Sequence, residues 1–272
     1  MNGGGVELVS ALPSARLRGY VRSYTGYLEP GETPLARREI PTGDVSLVIS
    51  FGPSLTITDP RSRSAVTHSS FVAGVHDSHA LTQTPGPQHG IEARLTPIGA
   101  YRLLGVPMNR LANRSVAFEE LVGREAEFLA ERLFALSGWH ERFSALDFEF
   151  ERLMRDGPLP SPSTVWAWRS LAETAGRVPV GALADELGCS RKHLAERFRI
   201  EIGAAPKTMA RVLRFDRAVR LLRGGRAFGE TALECGYYDQ AHLNREVRDL
   251  AGTTPTELTA VTSVQDARQH AV

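Results

Sequence analysis

Two spacings of apolar residues divide the chain. Up to Pro97 they fall in short runs closed by Gly or Pro: "DVSLVISFG" (44–52), "SLTITDP" (54–60), "SSFVAGVHD" (69–77) and "GIEARLTP" (90–97). Short β-branched runs bounded by turn formers predict strands. Beyond Pro97 the spacing becomes helical. "LVGREAEFLAERLFAL" (121–136) and "WHERFSALDFEFERLM" (139–154) carry apolar residues three and four apart with charges between them. Their stripes, Phe128, Leu129, Leu133 and Phe134, then Phe143, Leu146, Phe150 and Leu153, are expected to face a core. Part of that surface is a candidate homodimer interface.

The stretch "RDGPLPSPSTVWAW" (155–168) breaks the pattern with prolines, a glycine and serines. It sets a boundary near Ser161, with Ser163 or Thr164 as the expected cap of the next helix. The expected organisation is a β-rich N-terminal domain over 1–157, a linker at 158–163, a helical domain over 164–261 and an unstructured tail at 262–272. The fold class is therefore α+β. Within the helical part, helices are expected over 164–175, 179–187, 190–202, 206–223, 229–235, 239–251 and 255–261. Gly188, Gly203, Gly224, Gly225, Gly236 and Gly252 fall at their ends, where glycine can close a helix in the left-handed conformation.

This helical part repeats itself. At an offset of 49, His193-Leu194 aligns with His242-Leu243, Phe198-Arg199 with Val247-Arg248, Gly203 with Gly252 and Pro206 with Pro255. Before the second turn the offset is 48, pairing Ala184 with Ala232, Leu187 with Cys235 and Gly188 with Gly236. Each copy reads as a short helix, a glycine turn and a second helix capped by Ser190 or Asp239. Leu194, Phe198 and Ile202 form the apolar stripe of the first copy, and Leu243, Val247 and Leu250 that of the second. Lys192, Ala195, Glu196 and Arg199 share an outer face, matched by Ala241, Asn244, Arg245 and Arg248. A helix-turn-helix of this kind can lay its second helix in the major groove of duplex DNA. Between the copies, "PKTMARVLRFDRAVRLLRGG" predicts one long helix that holds the two units at a fixed separation. Its Arg214, Arg217 and Arg220 point away from the apolar arc, either toward phosphate or as a solvated face. His193 and His242 lie beside buried leucines and are expected to pack or bond to backbone.

Residues 164–261 resemble the DNA-binding domain of the AraC/XylS family of bacterial transcription regulators. The resemblance rests on "VGALADELGCSRKHLAERFRIEIGAAPKTMARVLRFDRAVRLL" and "ALECGYYDQAHLNREVRDLAGTTPTEL". It implies two helix-turn-helix units joined by a long linker helix, double-stranded DNA as partner, and contact with RNA polymerase. The base-reading positions it implies are Lys192, Ala195 and Glu196 in the first unit, and Gln240, Ala241, Asn244 and Arg245 in the second. Arg245 could grip guanine, Gln240 or Asn244 adenine, and Glu196 cytosine. Arg191, Arg199 and Arg248 are the phosphate candidates. Val247 departs from the aromatic usual at its position. The front half, through "LRGYVRSYTGYLEP" and "RREIPTGDVSLVISFG", is similar to β-rich sensor halves of some members. That implies a barrel-like unit and a role in sensing a small-molecule effector or in dimerisation, with no effector indicated.

Arg38, Glu39, His76, Asp77 and His79 are the polar residues of interest in that half, and Arg38 could meet a carboxylate effector. "GVHDSH" (74–79) gathers two histidines and an aspartate, but no further ligand at a supporting distance completes a metal set. No metal and no cofactor are expected. Cys235 takes a leucine's place in the repeat and reads as a small core residue. Cys189 lies in a turn, and the two cysteines indicate neither a disulfide framework nor a zinc finger.

Charge and composition narrow the function. Residues 1–163 hold 16 Lys+Arg and 18 Asp+Glu, and residues 164–272 hold 16 and 13. The net +3 of the second half suits a polyanion partner but is too small for binding driven by phosphate alone, which argues against an architectural DNA coat. No apolar run reaches the length of a membrane span, and the first residues lack a signal peptide's features, so a cytoplasmic protein with no membrane partner is expected. An enzyme tethered to DNA by its C-terminal half is the other alternative. It lacks support in a nucleophile elbow, a Walker motif or a dinucleotide fingerprint.

Overall fold

The computed structural model describes residues 6–31 and 35–260. The expected tail therefore lies outside the described residues. In the front half the strands are β1 (Glu7–Ala11), β2 (Val21–Glu29), β3 (Leu35–Glu39), β4 (Val45–Ser50) and β5 (Leu55–Asp59). They are followed by β6 (Ser64–His68), β7 (Phe71–Ala73), β8 (Ala80–Thr84), β9 (Gln88–Leu95) and β10 (Ser115–Ala117). One sheet has the order β1-β2-β9-β4-β7-β10 and the other β3-β8-β5-β6, with antiparallel neighbours. The barrel-like expectation is met by two facing sheets rather than a closed barrel. Arg37 of β3 reaches Glu29 of β2 at 2.5 Å along one edge. Along the other, the His68 ring of β6 lies 3.2 Å from the Ser115 carbonyl of β10.

Alternation along the strands gives the larger sheet two different faces. Val45, Leu47 and Ile49 of β4 and Ile91, Ala93 and Leu95 of β9 are fully buried against helices. Ser46, Val48, Glu92 and Arg94 point the other way, into the space between the sheets. The covering helices are α1 (Pro97–Leu104), α2 (Phe118–Val122), α3 (Glu125–Ala135) and α4 (Trp139–Asp156), with a 3-10 turn at Met108–Arg110. Tyr24 of β2 stacks on Phe143 of α4 at 5.7 Å and donates its hydroxyl to Asp147 at 2.9 Å. Burial and that carboxylate both push its phenol pKa up.

Part of the expected helical stripe is not core. Leu129 and Leu133 of α3 are buried, but Phe128 and Phe134 are more than half exposed. One face of a short helix accommodates Ala126, Leu129 and Leu133, and residues one step round lie outside that arc. Phe134 lies instead beside Phe51 and His89, and Phe128 under the Arg124 guanidinium. In α4, Phe143, Leu146 and Phe150 are buried as expected, with Leu153 partly so.

The rest is helical: α5 (Pro162–Glu173), α6 (Val180–Glu186), α7 (Arg191–Glu201), α8 (Pro206–Arg223), α9 (Phe228–Glu234), α10 (Gln240–Ala251) and α11 (Pro255–Ala260). Their ends fall within two residues of the sequence expectation. The cap of α5 is Ser161, not Ser163 or Thr164, because Pro162 suits the first helical position and moves the cap ahead of it. Ser161 also ties α5 to α7, its Oγ donating to Glu201 at 2.9 Å. One apolar cluster runs from the sheet and helices of the front half through Leu183, Leu194, Phe198 and Ile202 of the first helix-turn-helix. The second unit, with Phe215, Val219, Cys235, Leu243 and Val247, has its own cluster, against which Ile40 of the front half packs.

Candidate nucleic-acid interface

Both expected helix-turn-helix units form with the capping chemistry their sequences provide. Ser190 Oγ accepts the His193 amide at 3.1 Å, and Asp239 Oδ1 accepts the His242 amide at 2.6 Å. Each bond satisfies an amide that the first turn of a helix leaves open. Leu194, Phe198 and Ile202, then Leu243, Val247 and Leu250, are buried beneath α7 and α10. Val247, smaller than the aromatic the resemblance implies, is fully enclosed. Cys235 is buried as a core residue, which raises its thiol pKa, while Cys189 is partly exposed.

Opposite those stripes, Lys192, Glu196 and Arg199 of α7 are exposed and Ala195 is half-buried. On α10, Gln240, Ala241, Arg245 and Arg248 are exposed and Asn244 is half-buried. Arg191 is exposed too, but its guanidinium folds back over Gly181, 2.7 Å from where a Cβ would stand. Beyond the expected outward direction, the linker arginines have partners within the domain. Arg217 pairs with Glu234 at 2.5 Å and Arg220 with Asp216 at 2.5 Å, and the Arg214 guanidinium stands 5.9 Å from the Tyr237 ring centre. Arg211 holds Glu246 at 2.8 Å, and also Asp249, both on α10. The Arg220 pair lies within α8, whereas those of Arg217 and Arg211 brace α8 against α9 and α10. His242 packs edge-on against Tyr237 at 5.3 Å as expected, whereas His193 is exposed, the first unit having Cys189 where the second has Tyr237.

The segment "GVHDSH" bridges both units. Gly203, just past α7, has φ +107, and a Cβ there would be 2.8 Å from Val75 Cγ2. Gly252, just past α10, has φ +62, and a Cβ there would lie 2.0 Å from His79 Cε1. The two glycines paired by the repeat thus both meet the β7–β8 connection. Arg38 of β3 donates to the carbonyls of Ala251 and Gly252 at 2.9 and 3.0 Å, where the end of α10 leaves acceptors open and the helix dipole is negative. Arg38 is therefore committed to a helix terminus rather than to the interior between the sheets. Arg61 joins Asp77 at 2.9 Å and Asp249 at 3.6 Å.

Each remaining polar residue of interest has its own environment. His76 Nδ1 lies 2.7 Å from the Gly74 carbonyl, and burial lowers its pKa. Burial and the neighbouring Arg38 and Arg61 lower that of His79. Glu39 accepts the Thr82 hydroxyl at 3.1 Å inside the sandwich. Among the described residues no His, Cys, Asp and Glu group of metal-binding size occurs, and no helix is long and apolar enough to cross a membrane. Between the sheets lies a cavity of about 140 Å³ whose walls include both Arg37 and Glu39, the neighbours of Arg38 in β3. Sequence reasoning missed this alternation, in which the period of two puts Arg37 and Glu39 on the face opposite Arg38.

A family described as a helix-turn-helix domain matches residues 183–260, and one described as a domain of unknown function matches residues 10–117. No curated protein matches the chain. Among solved structures, ToxT from Vibrio cholerae in its P21 form is 10% identical, with a TM-score of 0.50 over 96% of this chain and 100% of its own. ToxT from Vibrio cholerae O395 bound to (E)-4-(8-methylnaphthalen-1-yl)but-3-enoic acid is 10% identical, with a TM-score of 0.50 over 94% of this chain and 99% of its own. The C-terminal domain of AraT, a response regulator from Geobacillus stearothermophilus, is 18% identical over 42% of this chain and 98% of its own, at a TM-score of 0.35. At such identities the likeness to ToxT concerns the fold.

Proposed function

We propose that the chain, through its C-terminal helix-turn-helix domain, is a DNA-binding transcription regulator of the AraC/XylS family, that α7 and α10 are its two recognition helices, and that its front half governs how they are held. The solved structures that share this architecture are transcription regulators, which favours this reading over the tethered-enzyme alternative.

In this reading the two helices enter successive major-groove segments on one face of the duplex, about 10 bp apart. Lys192, Ala195, Glu196, Gln240, Ala241, Asn244 and Arg245 face the bases. Arg191, Arg199 and Arg248 meet phosphate, Arg191 after swinging off Gly181. None of Lys192, Glu196, Arg199, Arg245 and Arg248 is held in an ion pair among the described residues, unlike Arg211, Arg217 and Arg220 of α8. That contrast supports the assignment: side chains kept for DNA are left available, and those that brace the domain are paired. RNA polymerase is the partner through which such binding acts on transcription, and a homodimer through the exposed Phe128 and Phe134 of α3 is compatible with it.

The observation that carries the regulatory half of the proposal is the contact of Arg38 with the end of α10. β3 forms a wall of the inter-sheet cavity and, at the next residue, holds a recognition helix. A small molecule between the sheets would act on the same strand, and ToxT, which has this fold, binds a naphthyl-substituted butenoic acid. Hydroxyl-radical footprinting on bound duplex tests the DNA arrangement. Two protected patches one helical turn apart on the same face are expected, and a single continuous patch would refute paired entry.

A further inference from the structure

The cavity has a charged end and an apolar end, set by strand order. Across the larger sheet, Glu92 of β9 stands level with Val48 of β4, and Val48 with Phe71 of β7. Across the facing sheet, Arg37 of β3 stands level with Thr82 of β8, and Thr82 with Ile57 of β5. All six line the cavity. Because Arg37 reaches Glu29 at the β2–β3 edge, while β6 and β10 meet at the opposite one, the charged ends of the two sheets face each other. So do the apolar ends.

The charged end carries more acid than base. Its walls hold Arg37 and Arg94 against Glu39, Asp44 and Glu92, with Glu29 behind Arg37 and Arg22 behind Asp44 at 3.6 Å, so one more acid than base remains. Both guanidiniums are already bonded to carboxylates, Arg37 to Glu29 at 2.5 Å and Arg94 to Asp44 at 2.6 Å. Burial works against the Arg94 charge, but Asp44, Glu92 and Asp216 outweigh it and hold its pKa above the ordinary value. Glu92 accepts from a neutral group, the Ser46 hydroxyl at 2.8 Å. An anion entering here would add to an existing excess of negative charge in a partly desolvated space, whereas a cation would offset it.

We propose that this cavity binds a compact amphipathic amine, its ammonium on the Glu39 and Glu92 side and its apolar part against Val48, Ile57 and Phe71. This rests on the reading that the front half senses a small molecule, and adds the chemical class. The volume of about 140 Å³ suits one ring or a short chain, since a cavity of roughly 150 Å³ accommodates benzene.

Isothermal titration calorimetry on the full chain at neutral pH, with benzylamine, benzyl alcohol and benzoate, separates head-group charge from shape. Benzylamine is expected to bind at least tenfold more tightly than benzoate, with benzyl alcohol between them. Glu92→Gln should weaken benzylamine about tenfold and leave benzyl alcohol unchanged. Val48→Phe should abolish binding of both by filling the apolar end, with circular dichroism melting to verify that each variant folds. Benzoate binding as tightly as benzylamine would overturn the assignment, as would amine binding indifferent to both substitutions, or no binding of any of the three at millimolar concentration. Duplex binding by the same preparation is measured separately. Sequence-specific DNA binding without amine binding removes the ligand class alone, and amine binding without specific DNA binding removes the regulator reading alone.

Discussion

The imidazole of His79 occupies the space a side chain at Gly252 would need: a Cβ there would lie 2.0 Å from Cε1. Gly252 ends the second recognition helix in a left-handed conformation, at φ +62, that other residues adopt at a cost of about 1–2 kcal/mol. Two constraints, one local and one from the front half, meet at a single glycine. Gly252→Ala should therefore destabilise the protein by more than the backbone term alone in urea denaturation. Adding His79→Ala should recover the steric part and leave the conformational part. Additive effects of the two substitutions would contradict the contact.

Arg38 acts on the same helix end through its bonds to Ala251 and Gly252. Arg38→Ala should speed amide hydrogen exchange at Thr253 and Thr254 and lower affinity for a two-block duplex. Affinity for a duplex carrying only the block read by α7 should be unchanged, because the bracket's contribution is to hold the second helix in place. Equal loss on both duplexes would mean that Arg38 supports folding alone.

For Arg245→Ala the expected loss of specific affinity is roughly 1–3 kcal/mol, with relaxed preference at one base pair. Binding measured against a set of single-base variants checks this. A uniform loss across the set would make Arg245 a phosphate contact.

Asp216 gives the stability a pH dependence. Burial pushes its carboxyl up to about 6; Arg220 and Arg94 oppose that shift and Asp44 adds to it. A carboxyl whose folded value lies above its unfolded one keeps its proton longer in the native state. Its contribution is present in full below the unfolded value near 4 and is lost as pH rises through about 6. Asp216→Asn should flatten the fall in stability between those values, seen as a smaller change in urea midpoint. An unchanged profile would place the titration elsewhere.

The helical half was legible because its signals are local. Ser190, Asp239, Gly188, Gly236 and Gly252 mark helix ends by their own chemistry, and the 49-residue offset superposes the two units without knowledge of the fold. Exposure of Lys192, Glu196 and Arg245 followed from helical spacing in the same way. The role of "GVHDSH" was not legible, since Val75 meets Gly203 and His79 meets Gly252 only after the chain has folded. Arg38 was read as a residue open to an effector for the same reason: its acceptors lie more than two hundred positions away. Phe128 and Phe134 misled because apolar spacing shows which residues share a helix face, not how wide a face the core will cover.

Paired reading of DNA is the central claim, and selection of bound sequences from a random duplex pool, repeated across salt concentrations, tests it most directly. Two short enriched blocks about one helical turn apart, whose enrichment persists as salt rises, are the result expected of two recognition helices. Binding that yields no enriched sequence and falls steeply with salt would contradict it, leaving only a phosphate-driven contact.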